Sequence, residues 1–120
     1  MKVLIADDEP FSASALQQLL SALNTSADIV SNGLVCCETL ESHPDLYQLV
    51  FMDVFMPEMD GLEATQAIKS LNLGNVRRVI GVTGDSDSAL LERCKEAGMD
   101  DVIIKPIRRD RLQAVLSSLS

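Results

Sequence analysis

Charged and hydroxyl side chains follow four apolar segments of this 120-residue chain. Asp7 and Asp8 follow "KVLIA", Asp53 ends "LVFMD", Thr83 ends "RVIGVT" and Lys105 ends "DVIIK". Three carboxylates held close together repel one another, and a divalent cation with oxygen ligands, for which Mg2+ is the best candidate, relieves that repulsion. Lys105 adds a positive charge and Thr83 a hydroxyl donor. Gathered in one pocket, these groups meet the needs of phosphoryl transfer, with Asp53 as the nucleophile.

Apolar strands that alternate with amphipathic helices would bring these side chains together. The sequence predicts strands at 2–6, 27–31, 49–53, 78–83 and 101–105. It predicts helices from Pro10 to Leu23, at 34–42, 62–71 and 87–97, and a last helix with an apolar stripe of Leu112, Val115, Leu116 and Leu119. Because parallel strands need crossovers of helix length, this alternation indicates a doubly wound α/β fold. Ligands of such folds lie outside the carboxyl ends of the strands, where the candidate residues stand.

The composition fits a single cytoplasmic domain that spans residues 1–120. Hydrophobic residues make up 47% of the chain, which has no Trp and one Tyr, so we expect an aliphatic core. The formal net charge of -8 disfavours direct contact with nucleic acid or with anionic membranes. No apolar run approaches the roughly 20 residues of a membrane span, and the first residues enter a strand rather than a signal peptide. We therefore expect a soluble protein without membrane insertion.

Other residues that could carry chemistry have simpler interpretations. Cys36, Cys37 and Cys94 lack the paired spacing of a zinc site or a disulfide framework, and nothing beside them indicates an activated thiolate. We interpret them as packing residues in a reducing cytosol. His43 precedes a proline far from the candidate site and is interpreted as a loop residue. The segment "IRRDR" at 107–111 is interpreted as the basic first turn of a surface helix rather than as a partner patch.

Four motifs together resemble the receiver domains of two-component response regulators, and the resemblance covers the whole chain. The motifs are "VLIADDEP", "FMDVFMPEMDGLEA", "VIGVTG" and "AGMDDVIIKPI". The resemblance implies a flavodoxin-like, five-stranded parallel sheet of order 2-1-3-4-5 with five flanking helices. It implies a phosphorelay in which a histidine kinase or a histidine phosphotransfer protein donates the phosphoryl group. Such a domain catalyses its own phosphorylation and dephosphorylation and is not otherwise an enzyme. Its output partner, in another protein or the same polypeptide, is not indicated.

The resemblance also implies a role for each candidate residue in holding the metal. Asp53 would be the phospho-acceptor. Asp8, Asp53 and the backbone carbonyl of Phe55 would ligate Mg2+. Asp7 would act mainly through a bound water.

The contacts of the phosphoryl group are implied in the same way. Its oxygens would be contacted by Lys105, by the hydroxyl of Thr83 and by the backbone amides of Phe55 and Gly84. The Lys105–Pro106 peptide bond would be cis. The expected output surface is formed by the fourth helix, the fifth strand and the fifth helix.

Two residues depart from the receiver pattern. Receivers commonly place Tyr or Phe three residues before the lysine, where the ring swings inward as the threonine moves, and this chain has Val102 there. A short branched side chain cannot make that rotamer change, so whether Thr83 drives a switch at this position stays open. Phe55 stands where many receivers have a polar or smaller residue, and its ring could shield an acyl phosphate from water. Gly84 is small and should leave the acceptor open to a bulky phosphohistidine donor.

Other functions on the same fold are weaker candidates. A flavodoxin-like redox protein needs a loop rich in Ser, Thr and Gly after the first strand, and "ADDEP" would repel the flavin phosphate. Aspartate-nucleophile phosphatases place a second acid two residues after the nucleophile, where this chain has Phe55. The remaining alternative is a receiver-fold interaction module that works without phosphorylation, which Val102 alone favours.

Overall fold

The computed structural model describes residues 2–118, which form a parallel sheet flanked by helices. The strands are β1 (Lys2–Ala6), β2 (Ser26–Val30), β3 (Leu49–Asp53), β4 (Arg78–Thr83) and β5 (Asp101–Ile104). The helices that follow them are α1 (Pro10–Ala22), α2 (Gly33–Ser42), α3 (Gly61–Ser70), α4 (Ser88–Ala97) and α5 (Arg109–Ser117). All the strand pairs are parallel, in the spatial order β2-β1-β3-β4-β5. The doubly wound fold and its strand order are therefore confirmed.

The alternation of side chains along the strands divides the core between the two faces of the sheet. Leu4 and Ala6 belong to a cluster that also contains the apolar sides of α2, α3 and α4. Val3 and Ile5 belong to a second cluster, with the apolar sides of α1 and α5. β3 lies in the middle of the sheet, and all of its residues are buried. A central strand covered on both faces needs a continuous apolar run, which explains "LVFM" before Asp53.

Local signals set where the helices begin and end. Pro10 occupies the first turn of α1, and the Glu9 side chain accepts hydrogen bonds from two amides of that turn. Asp60 and Glu63 form a reciprocal capping box at the start of α3. Gly98 ends α4 with a φ of 108°, a left-handed conformation that costs glycine little. The helix bounds predicted for 34–42, 62–71 and 87–97 are correct to within one residue.

Two strands have bounds that differ from the predictions by one residue. β2 runs from Ser26 to Val30 rather than over 27–31, because its parallel pairing with β1 begins at Ser26. β5 ends at Ile104, which pairs with Thr83, the last residue of β4. Lys105 therefore lies just beyond the strand and not at its last position.

The buried side chains are mainly aliphatic, as predicted, although Phe51 and Tyr47 are also buried. On α5, Leu112 and Val115 are buried and Leu116 is partly buried, whereas Leu119 of the predicted stripe lies outside the described residues. All three cysteines are buried, and burial raises the pKa of each thiol, as expected of packing residues. Within residues 2–118, none of the helices combines the length and the apolar character that a membrane span needs.

Candidate functional site

The candidate side chains lie at the carboxyl ends of neighbouring strands, at one edge of the sheet. Asp7 follows β1, Asp53 ends β3 and Thr83 ends β4, and these three strands are adjacent. Backbone hydrogen bonds continue past the strand ends. The amide of Asp7 donates to the carbonyl of Val30 at 3.1 Å, and the amide of Lys105 donates to the carbonyl of Thr83 at 2.7 Å. The backbone on which the site is built is therefore held in fixed register.

Asp7, Asp8 and Asp53 form an acidic cluster at this edge. One carboxylate oxygen from each residue lies within 4.8 Å of the other two. Asp7 and Asp53 are buried and Asp8 is exposed, so the cluster opens to solvent on one side. The amide of Glu9 donates to the Asp7 carboxylate at 2.9 Å and fixes its position. The structure thus brings together the three acids that the sequence places after separate strands.

Lys105 reaches the acidic cluster from the end of β5. Its Nζ lies 3.8 Å from Oδ2 of Asp53 and 3.7 Å from Oδ2 of Asp7. At these distances the ammonium group attracts both carboxylates while it stays partly exposed to solvent. The Lys105–Pro106 peptide bond is cis, as the resemblance implies.

The acidic cluster changes the protonation of Asp53. Burial of the carboxyl, its hydrogen bond with Asp7 and the repulsion between the two groups raise the pKa of Asp53 to about 6. The positive charge of Lys105 and a hydrogen bond from the backbone amide of Phe55 lower this pKa but do not cancel the rise. One amine among three carboxylates therefore leaves an excess of negative charge.

The donor set of the acidic cluster fits Mg2+. Its candidate ligand atoms are carboxylate oxygens, which hard divalent cations prefer over sulfur and nitrogen. The pKa of Asp53 is raised first by burial and then by the neighbouring Asp7 carboxyl, and a cation bound here would favour the ionised form of both groups. The exposed position of Asp8 leaves room for water, and Mg2+ usually keeps several water ligands in proteins. The backbone carbonyl of Phe55 stays a prediction as a further ligand.

The hydroxyl of Thr83 is held by the loop between β4 and α4. The amide of Asp85 donates to Thr83 Oγ1 at 3.1 Å, so the hydroxyl proton is free to be donated elsewhere. A Cβ added to Gly84 would meet no atom within 4 Å, which agrees with the expectation that this position leaves the acceptor open. Asp85 is not among the site residues predicted from the sequence. The sequence does contain a signal for this contact, because Asp85 stands two residues after the threonine that ends β4. A threonine hydroxyl that accepts from the amide two residues later is typical of an ST-turn.

The loop between β3 and α3 lies next to the acceptor. Phe55 is 60% exposed on this loop, so its ring is accessible to an approaching molecule. The start of α3 lies against Asp53, because a Cβ added to Gly61 would overlap the Asp53 carbonyl oxygen. The amide of Gly61 also donates to the carbonyl of Val54 at 2.8 Å. Glycine is therefore needed for this close approach, which the sequence analysis did not predict.

Val102, the residue at the predicted switch position, lies on β5 beside Gly81 of β4. A Cβ added to Gly81 would overlap Sδ of Met99 and would lie 3.4 Å from Cγ2 of Val102. Met99 is buried, so its thioether fills the space above Gly81. The position where the receiver pattern commonly has an aromatic ring is therefore surrounded by closely packed aliphatic and thioether groups in this chain.

Comparisons with known proteins agree with the motifs. The family model for the response regulator receiver domain matches residues 3–117. Transcription factor SKN7 of Saccharomyces cerevisiae is 33% identical over 114 residues, which are 95% of this chain and 18% of that protein. Sensor histidine kinase RcsC of Escherichia coli is 34% identical over 118 residues, which are 98% of this chain and 12% of that protein. The chain therefore spans less than a fifth of the length of these curated relatives.

Solved structures of receiver domains share this architecture. The receiver domain of a sensor histidine kinase from Pseudomonas aeruginosa, which has a magnesium ion coordinated in its active site cleft, is 27% identical with a TM-score of 0.87. The match covers 98% of this chain and 94% of that chain. The receiver domain of a histidine kinase from Syntrophus aciditrophicus is 31% identical with a TM-score of 0.85, over 98% of this chain and 88% of that chain. Because the family match extends over residues 3–117 and these structures share the whole fold, this chain belongs to the response regulator receiver domain family.

Proposed function

We propose that residues 1–120 act as one receiver domain that accepts a phosphoryl group on Asp53 from a phosphohistidine donor. One observation carries this proposal. The buried carboxylate of Asp53 lies in a cluster with Asp7 and Asp8, within 4.8 Å, and the amine of Lys105 is 3.8 Å away. A nucleophile, acids suited to Mg2+ and a positive charge therefore share one solvent-accessible edge of the sheet.

The transfer step uses the groups of this edge in distinct roles. An oxygen of ionised Asp53 attacks phosphorus, and a P–O bond forms as the P–N bond to the donor imidazole breaks. Lys105 and the hydroxyl of Thr83 donate to the phosphoryl oxygens, on which negative charge is concentrated. The backbone amides of Phe55 and Gly84 complete these contacts. Hydrolysis of the resulting acyl phosphate by water restores the Asp53 carboxylate.

Mg2+ is the cofactor that we propose for this step. When bound, it would neutralise the carboxylates and the phosphoryl oxygens. Asp8, Asp53 and the carbonyl of Phe55 would hold the ion directly, and Asp7 would hold it through water. The coordinated magnesium of the Pseudomonas aeruginosa receiver supports this assignment, as does the all-oxygen donor set of the acidic cluster.

A histidine kinase or a histidine phosphotransfer protein is the proposed donor. Support comes from relatives of this chain that are themselves sensor histidine kinases, such as RcsC. Phosphorylation would shift the populations of two conformations of the output surface formed by α4, β5 and α5, and so change its affinity for a partner. The domain would have no enzymatic activity apart from its own phosphorylation and dephosphorylation. A module that works without phosphorylation is not favoured, because the three acids and the Lys105 amine meet at the edge of the sheet where the strand that carries Thr83 also ends.

Incubation with acetyl phosphate and Mg2+, followed by intact mass measurement, tests this function. The wild-type chain should gain one phosphoryl group, and Asp53→Ala should gain none. Glu92→Ala is the matched control, because Glu92 is an exposed acid on α4 and should leave the phosphorylation yield unchanged. A wild-type chain that stays unmodified, or an Asp53→Ala chain that still gains the group, would contradict the proposal.

A further inference from the structure

The loop between β3 and α3, residues 54–60, carries the backbone groups of Phe55 that we propose as contacts of Mg2+ and of the phosphoryl group. The base of this loop is closed, because the amide of Gly61 donates to the carbonyl of Val54 at 2.8 Å. Farther along, Glu58 has a φ of 67°, a left-handed conformation that is unfavourable for a residue with a Cβ. A strained backbone of this kind persists only where the surrounding structure holds it in place.

Helix α2 supplies one such contact through its first residue, Gly33. The amide of Gly33 donates to the carbonyl of Met59 at 3.1 Å. Because the first amides of a helix have no partner inside that helix, this bond uses a donor that α2 itself cannot satisfy. Within residues 2–118, it is the one hydrogen bond that joins residues 56–59 to a helix or a strand. The direction of the loop backbone at Met59 is therefore set by α2.

The space around Gly33 has no room for a methyl group. A Cβ added there would lie 2.6 Å from the carbonyl oxygen of Met59 and 2.9 Å from Cβ of Ala64 on α3. It would also lie 3.2 Å from the carbonyl oxygen of Asp60, the N-cap of α3. The first two distances are well below the usual separation of non-bonded atoms, and the Met59 oxygen belongs to the backbone. Gly33 thus lies where α2, α3 and the loop meet.

The side chains of the loop hold it less specifically than this hydrogen bond does. The ring of Phe55 is 60% exposed, so it does not anchor the loop. Met56 and Met59 are partly buried and pack against the core cluster that contains the apolar sides of α2, α3 and α4. Apolar burial is non-directional, whereas a hydrogen bond also constrains the orientation of the groups it joins. The bond from Gly33 therefore adds an orientation that packing alone does not supply.

We propose that Gly33 is a positioning residue, which holds this loop in the conformation that the proposed contacts of Phe55 require. It acts through Met59 and contacts neither the metal nor the phosphoryl group. Residues that orient the ligands of a metal without touching it commonly change metal affinity when they are replaced. The inference rests on the proposed function, because the Phe55 carbonyl is there a ligand of Mg2+ and the Phe55 amide a contact of the phosphoryl group.

The first experiment measures Mg2+ affinity by isothermal titration calorimetry. Gly33→Ala should raise the Kd for Mg2+ about tenfold, because the new methyl group displaces the loop. Gly98→Ala is the matched control. It also replaces a glycine that the fold needs, at φ 108°, but at the end of α4, which lies at the opposite edge of the sheet from the acceptor. Its Kd should equal that of the wild type. An unchanged Kd in Gly33→Ala, or an equal rise in both variants, would overturn the proposal.

Amide chemical shifts in the metal-free protein decide the loop contact separately from the proposed cofactor. In Gly33→Ala the amides of Phe55, Met56 and Glu58 should shift, and in Gly98→Ala they should not. Unchanged loop amides in Gly33→Ala would overturn the positioning role. Shifted loop amides, together with a wild-type chain that binds no Mg2+, would contradict the proposed cofactor and leave the contact between α2 and the loop supported.

A third measurement uses the wild-type chain, so it decides the proposal even where Gly33→Ala does not fold. If Gly33 favours Mg2+ binding, bound Mg2+ must by linkage favour the hydrogen bond between Gly33 and Met59. Mg2+ should therefore slow hydrogen exchange at the Gly33 amide several-fold more than at the His43 amide. That amide is the matched reference, because it donates to the carbonyl of Thr39 at 3.0 Å at the other end of α2. Equal slowing at both amides would overturn the proposal.

Discussion

At the scale of single residues, Asp53 is subject to opposing influences on its charge. Burial and the neighbouring Asp7 carboxyl disfavour its ionised form, whereas Lys105 favours it. The ionised form is the nucleophile in the proposed transfer, so the amine has two uses. It keeps the acceptor ionised near neutral pH, and it offsets charge on the transferred group.

Removal of this amine should therefore change both the acid strength and the reactivity of the acceptor. In Lys105→Ala, the pKa of Asp53 should rise above its value of about 6, because the attraction that favours the carboxylate is lost. The rate of phosphorylation by acetyl phosphate should fall about 100-fold, the size expected for loss of one charge-stabilising donor. A carbon-13 NMR titration of the Asp53 carboxyl in the metal-free protein measures the pKa. Lys69→Ala is the control, because Lys69 pairs with Asp100 at 2.9 Å elsewhere. An unchanged or lower midpoint in Lys105→Ala would contradict the assignment.

Phe55 provides a test of the lifetime of the acyl phosphate. Its exposed ring lies two residues after the acceptor, where it could exclude water from the phosphoryl group. In Phe55→Asn, hydrolysis of phosphorylated Asp53 should therefore be several-fold faster. Intact mass followed over time in Mg2+ measures this rate. Leu71→Asn is a suitable control, because Leu71 is 69% exposed on another part of the surface. An unchanged hydrolysis rate in Phe55→Asn would exclude the shielding role.

The site residues differ in how far the sequence could predict them. Asp7, Asp53 and Lys105 were predictable because each stands at or directly after the end of an apolar strand, and parallel strands place their carboxyl ends at the same edge. Asp85 was not predicted, because it contacts the Thr83 hydroxyl through its backbone amide, and the direction of that amide depends on the conformation of the loop. The need for glycine at Gly61 was not predicted, because its close approach to the backbone oxygen of Asp53 depends on the folded loop and cannot be seen from neighbouring residues in the sequence.

At the scale of secondary-structure elements, a glycine of β4, Gly81, packs against the large side chain of Met99, which lies just before β5. Gly81 of β4 leaves the space that the Met99 side chain occupies before β5 begins. The strands and helices were predictable from their apolar patterns, since such patterns depend on local chemistry, whereas the spatial order of the strands was implied by the resemblance to receiver domains. The contact between Gly81 and Met99 was not predictable from the sequence, because it depends on the register in which β4 pairs with β5.

Substitutions at Gly81 should show this packing as a stability effect. Gly81→Ala should destabilise the fold by about 1–3 kcal/mol, because the new methyl group overlaps the buried Met99 thioether. Gly84→Ala has free space around its Cβ and should change stability by less than about 0.5 kcal/mol. Urea unfolding curves measure both effects.

A double-mutant cycle tests whether Met99 is the cause. Met99→Ala alone should cost about 2–5 kcal/mol, because it leaves a cavity. The double variant Gly81→Ala with Met99→Ala should be less destabilised than the sum of the single changes. Additive effects would show that the two residues do not compete for one space.

At the scale of the whole molecule, a net charge of -8 is combined with three carboxylates at one edge. Mutual repulsion in the folded state opposes folding, since the unfolded chain can separate these charges. A cation that binds the folded state at this edge would remove part of that penalty and stabilise the fold by mass action. The proposed cofactor should therefore be detectable in the unfolding equilibrium as well as in phosphorylation.

The pH dependence of this stabilisation follows from the raised pKa of Asp53. A carboxyl whose pKa is about 6 when folded, against an ordinary value of 3.8, binds its proton more tightly in the folded state. Its contribution to stability is therefore complete below pH 3.8 and is lost as the pH rises through about 6. Mg2+ competes with that proton, so the increase in Tm caused by Mg2+ should be small at pH 5 and reach several degrees at pH 7.5. Differential scanning calorimetry with and without Mg2+, at ionic strength matched with NaCl, measures the increase. In Asp53→Asn the increase should be smaller and nearly independent of pH, whereas an equal increase at both pH values in the wild-type chain would contradict the site.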